Sequence, residues 1–232
     1  MPNHIKNRIT LSGDAETIAE MLAQFSTNYP ECQQTSFDGE LIFKKDSAYG
    51  WLSPDGSFSF RKDGNIEKVE SMPVGWTPCM EPAWTRFPDF KKVIPPPNDD
   101  AYNDIPSQEV AQSSPNWWLK WNTANWGTKW NSYDCEKLDG DVWQFDTAWS
   151  PVPSIIAEIA KRFPKVNITY EYSSEDIGEV CGLITFVYGT PCVRTQFEGG
   201  SKEAYELAFK LRPDRADDYE LVDGNYKYKE DE

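Results

Sequence analysis

The stretch Val142-Trp143-Gln144-Phe145-Asp146-Thr147-Ala148-Trp149-Ser150-Pro151-Val152-Pro153-Ser154-Ile155-Ile156-Ala157-Glu158-Ile159-Ala160-Lys161-Arg162-Phe163-Pro164 decides the fold class of this 232-residue chain. Residues 142–149 have strand character, with Trp143, Phe145 and Trp149 on one face and Val142 and Ala148 on the other. One face must meet helices; the other could be open. Ser150-Pro151-Val152-Pro153 then starts a helix, because proline suits the first turn, where no N–H is needed. Ile155, Ile156, Ile159, Ala160 and Phe163 form its inward stripe, Glu158 and Arg162 pair outside, and Pro164 ends it. Val166, Ile168, Tyr170 and Tyr172 alternate with Asn167, Thr169 and Glu171, so a second strand follows. Cys181–Tyr188 is a nearly continuous apolar run, which predicts a central strand buried on both faces.

Upstream, Ile5, Ile9 and Leu11 alternate with Lys6, Arg8 and Thr10, and Asn7 interrupts the apolar face. Gly13-Asp14 supplies a turn and a cap, and Ile18, Met21, Leu22 and Phe25 follow at helical spacing before Tyr29-Pro30. The order is β-α, an insertion, then β-α-β-β. It predicts an α+β ferredoxin-like sandwich, an antiparallel sheet with two helices on one face, enlarged by a central Pro/Trp-rich insertion. A single domain should span residues 1–213, with core segments 1–30 and 113–190, insertion 31–112 and a C-terminal helix over 201–212. That helix is capped by Ser201 and ended by Pro213; the acidic tail 214–232 is expected to be loosely held.

Within the insertion, Leu41-Ile42-Phe43 and Phe58-Ser59-Phe60 are strand candidates, with turns at Pro54-Asp55-Gly56 and Asp63-Gly64-Asn65. Eight prolines between Pro73 and Pro106 exclude a long helix or a central strand there. Trp76, Trp84, Phe87 and Phe90 argue that this excursion lies against the body.

Formal charge is −15, from 38 acidic and 23 basic residues. Both halves of the chain are acidic. Such a field repels phosphate backbones, so direct nucleic-acid binding is not expected, whereas a basic protein surface is a compatible partner. Five cysteines without C-x-x-C spacing give neither a disulfide framework nor a zinc pattern. Cys181 and Cys192 would meet only if they end neighbouring strands; reduced thiols in a cytoplasmic protein are expected. The N-terminal residues lack an apolar signal region, and no segment approaches membrane-spanning length.

Seven of the ten tryptophans fall within residues 117–149. Trp117/Trp121 and Trp126/Trp130 are each four apart, which fits a short helix to about Ala124, with Asn125-Trp126-Gly127-Thr128 turning away. Such a cluster serves either as core or as a stacking shelf. As core, it would carry Lys120 and Lys129 over indole rings, and Asn122, Asn125 and Asn131 would satisfy turn backbone. As a shelf for a nucleobase or sugar, its candidate ligand-binding residues are Trp126, Lys129, Trp130, Trp118, Trp121 and Lys120. Lys6, Arg8, Lys120 and Lys129 could neutralise one or two phosphates.

The opening Met1-Pro2-Asn3-His4-Ile5-Lys6-Asn7, the block Asn125-Trp126-Gly127-Thr128-Lys129-Trp130-Asn131, and Thr147-Ala148-Trp149-Ser150-Pro151 before a helix resemble the YubB-like ferredoxin-fold family of conjugative plasmids and phages. The similarity covers residues 1–28 and about 113–190. It implies a ferredoxin-like fold and a mobile-element origin, and it carries over no catalytic residues. Accessory proteins of such elements often act on host defence.

No catalytic constellation is legible. His4 stands alone, on the polar parity of the first strand, which suits a surface or edge residue. No dinucleotide or P-loop fingerprint occurs, and Gly199-Gly200-Ser201-Lys202 suits a helix cap better than an anion loop. The acid pairs Asp99-Asp100, Glu175-Asp176 and Asp217-Asp218 fall in expected loops, with nothing nearby to tune them. No metal or cofactor is expected. The leading expectation is a non-enzymatic accessory protein that binds a basic host macromolecule through an acidic surface. The alternative is a nucleotide-binding or sequestering protein using the tryptophan segment, and after that an enzyme acting on a sugar or nucleotide.

Overall fold

The computed structural model describes residues 3–30, 41–45, 48–52, 58–62, 65–69, 82–103 and 108–229. The Pro54-Asp55-Gly56 turn, Trp76 and the side chain of Trp84 lie outside the described residues. So do Asp63-Gly64 of the second turn and the strand side chains between 41 and 69. The chain divides into two compact units, Met1–Phe25 with Phe87–Glu232, and Ser26–Arg86. Residues 87–112, assigned to the insertion by sequence, therefore group with the ferredoxin-like unit.

The first unit opens with β1 (His4–Ser12) and α1 (Ala15–Phe25). Asp14 Oδ2 caps α1 by accepting the Thr17 N–H at 3.0 Å. In the second unit β2 (Thr27–Pro30) pairs with β7 (Pro82–Arg86). There too, β3 (Leu41–Lys45), β4 (Ala48–Leu52), β5 (Phe58–Lys62) and β6 (Asn65–Val69) form an antiparallel meander.

Back in the first unit follow the short helices α2 (Phe90–Val93), α3 (Gln108–Ser113) and α4 (Trp118–Asn125). Then come β8 (Tyr133–Lys137), β9 (Val142–Ala148), α5 (Pro153–Arg162), β10 (Asn167–Ser174), β11 (Cys181–Val187) and β12 (Thr190–Gln196). The unit closes with α6 (Lys202–Leu211), a 3-10 turn at Pro213–Asp218, and the hairpin β13 (Tyr219–Val222) and β14 (Asn225–Tyr228).

The main sheet runs β12-β11-β10-β1-β9-β8, antiparallel throughout. Its β1-α1-β8-β9-α5-β10 portion is the split β-α-β arrangement of a ferredoxin-like domain, with β1 and β9 at the centre. Sequence alternation found β1, β9, β10 and β11 but passed over β8 and β12. β8 carries Asp134 at φ 47° and a register shift between Tyr133 and Glu136, and every residue but one of β12 is exposed. Neither presents a period-2 apolar face to read.

β11 is not the doubly buried strand its composition suggests. Gly182, Ile184 and Phe186 are buried while Leu183, Thr185 and Val187 are half-buried. Cys181 and Cys192 lie toward opposite ends of the β11–β12 pair and remain free thiols, so the conditional pairing between them does not occur.

One face of the sheet (Ile5, Ile9, Trp143, Phe145, Ile168, Tyr170, Ile184, Phe186) packs with α1 and α5 into the main core, which also takes in Phe87, Phe90, Val93 and Trp126. The excursion's Phe87 and Phe90 thus serve as core side chains. The opposite face carries Lys6, Arg8, Gln144 and Glu171, and α6 lies against part of it. Arg8 Nη2 donates to the Lys210 carbonyl at 3.0 Å and Lys210 Nζ meets Glu171 Oε1 at 2.5 Å. The sheet face that the strand pattern left open is therefore partly occupied. Beneath α6, Ile177, Cys181, Ala204, Leu207, Ala208 and Leu211 form a second cluster. The tail expected to hang loosely is structured from Pro213 to Tyr228, because Tyr219 and Tyr226 pack on Tyr205 and Phe209 of α6.

Candidate functional site

Side-chain amides frame the tryptophan segment. Asn122 Nδ2 donates to the Lys129 carbonyl at 3.0 Å and Asn125 Nδ2 to the Trp121 carbonyl at 2.9 Å. Asn131 Oδ1 accepts the N–H groups of Phe90 and Ser132 while its Nδ2 donates to Asp89 Oδ1 at 2.7 Å. Asn122 and Asn131 thus serve loop backbone as expected, whereas Asn125 bonds a carbonyl one turn back in its own helix. Asn122 and Asn131 close a loop between α4 and β8 whose tight corner is Gly127 at φ 79°.

This frame separates the candidate shelf residues. Trp126 is 1% exposed, packs against Phe90 and Trp121, and spends its indole N–H on the Ile94 carbonyl at 2.9 Å. No ligand can stack on it, and its shelf assignment is corrected to core. Trp121 is half-buried between Trp126 and Tyr102, and Trp118 is half-buried against Trp117. Lys120 Nζ donates to the Gln112 carbonyl at 2.8 Å rather than lying over a described ring.

Lys129 and Trp130 are placed otherwise. Lys129 Nζ stands 4.6 Å from the Trp130 ring centre and 5.0 Å from that of Trp149. Both lie within cation–π reach. Trp149, read from sequence as a face residue of its strand, leaves the strand at φ 80° and is 44% exposed. A bulky residue in left-handed backbone is a true outlier, costing of order 1–3 kcal/mol. Its neighbours enforce it. The Trp149 N–H donates to the Asn3 carbonyl at 2.7 Å, Thr128 Oγ1 donates to the Ala148 carbonyl, and Thr147 Oγ1 donates to the Ser150 carbonyl at 2.8 Å.

The rim continues as an edge-to-face chain, Trp130 to Tyr133 at 6.1 Å and Tyr133 to His4 at 5.8 Å. His4 Nδ1 and the Tyr133 hydroxyl are 2.6 Å apart. Burial, reinforced by Asp146, Asp134 and Glu175, holds that hydroxyl well above the ordinary phenol range, and the direction of the hydrogen bond follows the tautomer of His4. Beside it Lys6 Nζ contacts both Asp146 oxygens at 2.8 and 2.9 Å. Burial raises the Asp146 carboxyl despite Lys6.

Sequence patterns missed Trp149, Tyr133 and His4 as members of one rim. The only trace of the first is its position between the end of a strand and a proline-led helix start. Tyr133 sits on the strand that alternation did not find. Among the described residues no three His, Cys, Asp or Glu side chains are grouped to hold a metal ion. No helix of the described residues is long and apolar enough to cross a membrane.

Residues 125–212 match the family model described as the ferredoxin-like domain in Api92-like protein, which accords with the split β-α-β order above. The crystal structure of a protein Api92 from Yersinia pseudotuberculosis is similar over 86% of this chain and 99% of its own, at 10% identity and a TM-score of 0.48. No curated protein matches.

Proposed function

We propose that the chain is a non-enzymatic binding protein whose Trp149–Lys129–Trp130 rim holds a nucleotide, a flat ring carrying negative charge. The observation that carries this is Trp149. A large apolar ring kept 44% exposed, on backbone that disfavours it and is pinned by neighbouring hydrogen bonds, gains little for folding. An exposed indole face stacks a base for ~1–3 kcal/mol, and the adjacent ammonium supplies attraction for an anion. We take the chain's origin to be a plasmid or phage, on the YubB-like resemblance at residues 1–28 and 113–190. Withholding a nucleotide from host defence would suit an accessory protein of that kind. The test is a thermal-shift screen of the whole chain against mono- and cyclic nucleotides. At a hundred times Kd a ligand adds ~2.7 kcal/mol, and the rise should vanish in Trp149→Gly. An unchanged melting temperature across the panel would sink this function.

A second function has its own support. Glu203, Glu206, Asp214, Asp217, Glu220 and Asp223 are exposed on α6 and the ordered segment after it. Lys202, Lys210, Lys227 and Lys229 are exposed there too, and Lys202 pairs with Glu206, so the surface is mixed with acids in excess, a balance that favours a basic host protein over nucleic acid. The expected result is salt-sensitive capture that weakens when Glu203, Glu206, Asp217 and Glu220 are neutralised. Capture unaffected by that neutralisation would exclude it.

A further inference from the structure

Sequence offers four cations, Lys6, Arg8, Lys120 and Lys129, that could meet a ligand's phosphates, and the structure distinguishes them sharply. Lys6 is held by Asp146. Arg8 gives Nε and Nη2 to Gln144 Oε1 at 3.1 and 2.8 Å, and Nη2 again to the Lys210 carbonyl. Lys120 is bonded to the Gln112 carbonyl. Arg212, a further cation near the His4 end of the rim, reaches the His4 carbonyl at 3.3 Å. Lys129 differs from all of these. Among the described residues its ammonium has two indole rings and no carboxylate or carbonyl partner. Indole faces stabilise a positive charge without neutralising it, so the full charge remains available to an anion.

The surroundings limit how much anion that one charge can hold. Asp134, Asp146 and Glu175 act on the Tyr133 hydroxyl, whose ring abuts Trp130, and the chain as a whole carries −15. Each phosphate beyond the first adds negative charge, and among the described residues the other cations near the rim, Lys6 and Arg212, already have partners.

We infer that the ligand carries a single phosphate, a nucleoside monophosphate or cyclic mononucleotide, and that Lys129 Nζ is the group that meets it. This rests on the rim being a nucleotide site, and it adds the charge and the phosphate-binding residue. The Trp149 face takes the base, Trp130 and Trp149 hold the Lys129 stem and head in place, and the phosphate lies at the ammonium.

Isothermal titration of the whole chain with adenosine and guanosine, their monophosphates, their cyclic monophosphates and their triphosphates tests it. One series is run in dilute buffer and one at about 0.15 M salt, where screening reaches beyond ~8 Å. The expected order has monophosphates binding about tenfold or more above the nucleosides, since a hydrogen bond to a charged group is worth that much, and triphosphates no tighter than monophosphates. Lys129→Gln should bring the monophosphates down to the nucleoside level and leave the nucleosides within about twofold. Added salt should weaken monophosphate binding in the parent and leave nucleoside binding unchanged, which decides the matter even if the variant folds poorly. Nucleosides binding as well as monophosphates, or triphosphates binding tighter, would overturn the single-phosphate inference while leaving the rim as a base-stacking site. If no member of the series binds, both the inference and the nucleotide site fall.

Discussion

Tyr170 donates its hydroxyl proton to Asn7 Oδ1 at 2.7 Å inside the sheet, and the same hydroxyl accepts the Val152 N–H at 2.8 Å. Asn7 Nδ2 donates in turn to Thr147 Oγ1 at 3.0 Å and to the Ile5 carbonyl at 2.9 Å. Both side chains are fully buried. The asparagine that breaks the apolar face of β1 is thus the hub of a satisfied network joining β1, β9, β10 and the start of α5. A buried polar group so paired costs little, while removing one partner strands the other.

Tyr170→Phe should therefore cost about 1–3 kcal/mol, with Asn7→Ala costing at least as much because it also removes the donor to Thr147 Oγ1 and the Ile5 carbonyl. Urea unfolding of the two single variants and the double variant checks this. The double variant should be less destabilised than the sum of the singles by about 0.5 kcal/mol or more. Strict additivity would mean the two side chains do not act together.

Trp126 fills the core between α4 and the Phe87–Val93 return of the chain. Truncation to alanine removes a fully buried indole and leaves the Ile94 carbonyl without its donor. The expected loss is about 3–5 kcal/mol, read as a lower melting temperature and urea midpoint. Trp118→Ala, at a half-buried ring, should cost clearly less. Equal losses would contradict the core placement of Trp126.

The ferredoxin-like frame was legible because its strands and helices obey simple periods. The apolar face of β1 and the stripe Ile155, Ile156, Ile159 survive as written, since burial on one face leaves a periodic trace. β8 left none, being bulged at its start and largely exposed, and the hairpin after residue 218 was hidden by its charge. There, Tyr219 and Tyr226 supply the packing, and tyrosines scattered among acids do not form a pattern. Within the tryptophan segment, density showed where large rings gather but not their depth. Trp126 and Trp130 stand four apart, yet one is shut in the core and the other half-buried at the rim, because the Gly127 corner falls between them. Trp149 was unreadable for a different reason, since its orientation follows from a backbone dihedral that period-2 alternation assumes away.

That dihedral gives a direct test. At φ 80° glycine is free of the Cβ clash, which costs other residues about 1–2 kcal/mol. Trp149→Gly should therefore be more stable than Trp149→Ala by about 1 kcal/mol, although both lose the same ring. Against the parent, Trp149→Gly should fall within about 1 kcal/mol, as relief of the backbone offsets the partial burial lost. Calorimetric melting of the three proteins measures both differences. Alanine matching or exceeding glycine would show that the backbone at 149 is not left-handed in solution.

Asp146 offers a pH test whose sign can be worked out in advance. Burial raises its carboxyl above the ordinary 3.8, so the folded chain holds this proton more tightly than the unfolded chain. Its contribution to stability is then complete below the unfolded value and is lost as pH rises through the folded one. Asp14 is shifted the opposite way, lowered first by the Thr17 backbone N–H, and its contribution is lost as pH falls. Asp14 is common to parent and Asp146→Asn, so it cancels from their difference. The stability of Asp146→Asn relative to the parent should therefore increase as pH is raised from about the ordinary aspartate value toward neutrality, and then level off. Urea unfolding of both proteins at several pH values reads this directly. A difference that shrinks with rising pH would mean that Lys6 outweighs burial and that the Asp146 carboxyl is lowered in the folded protein.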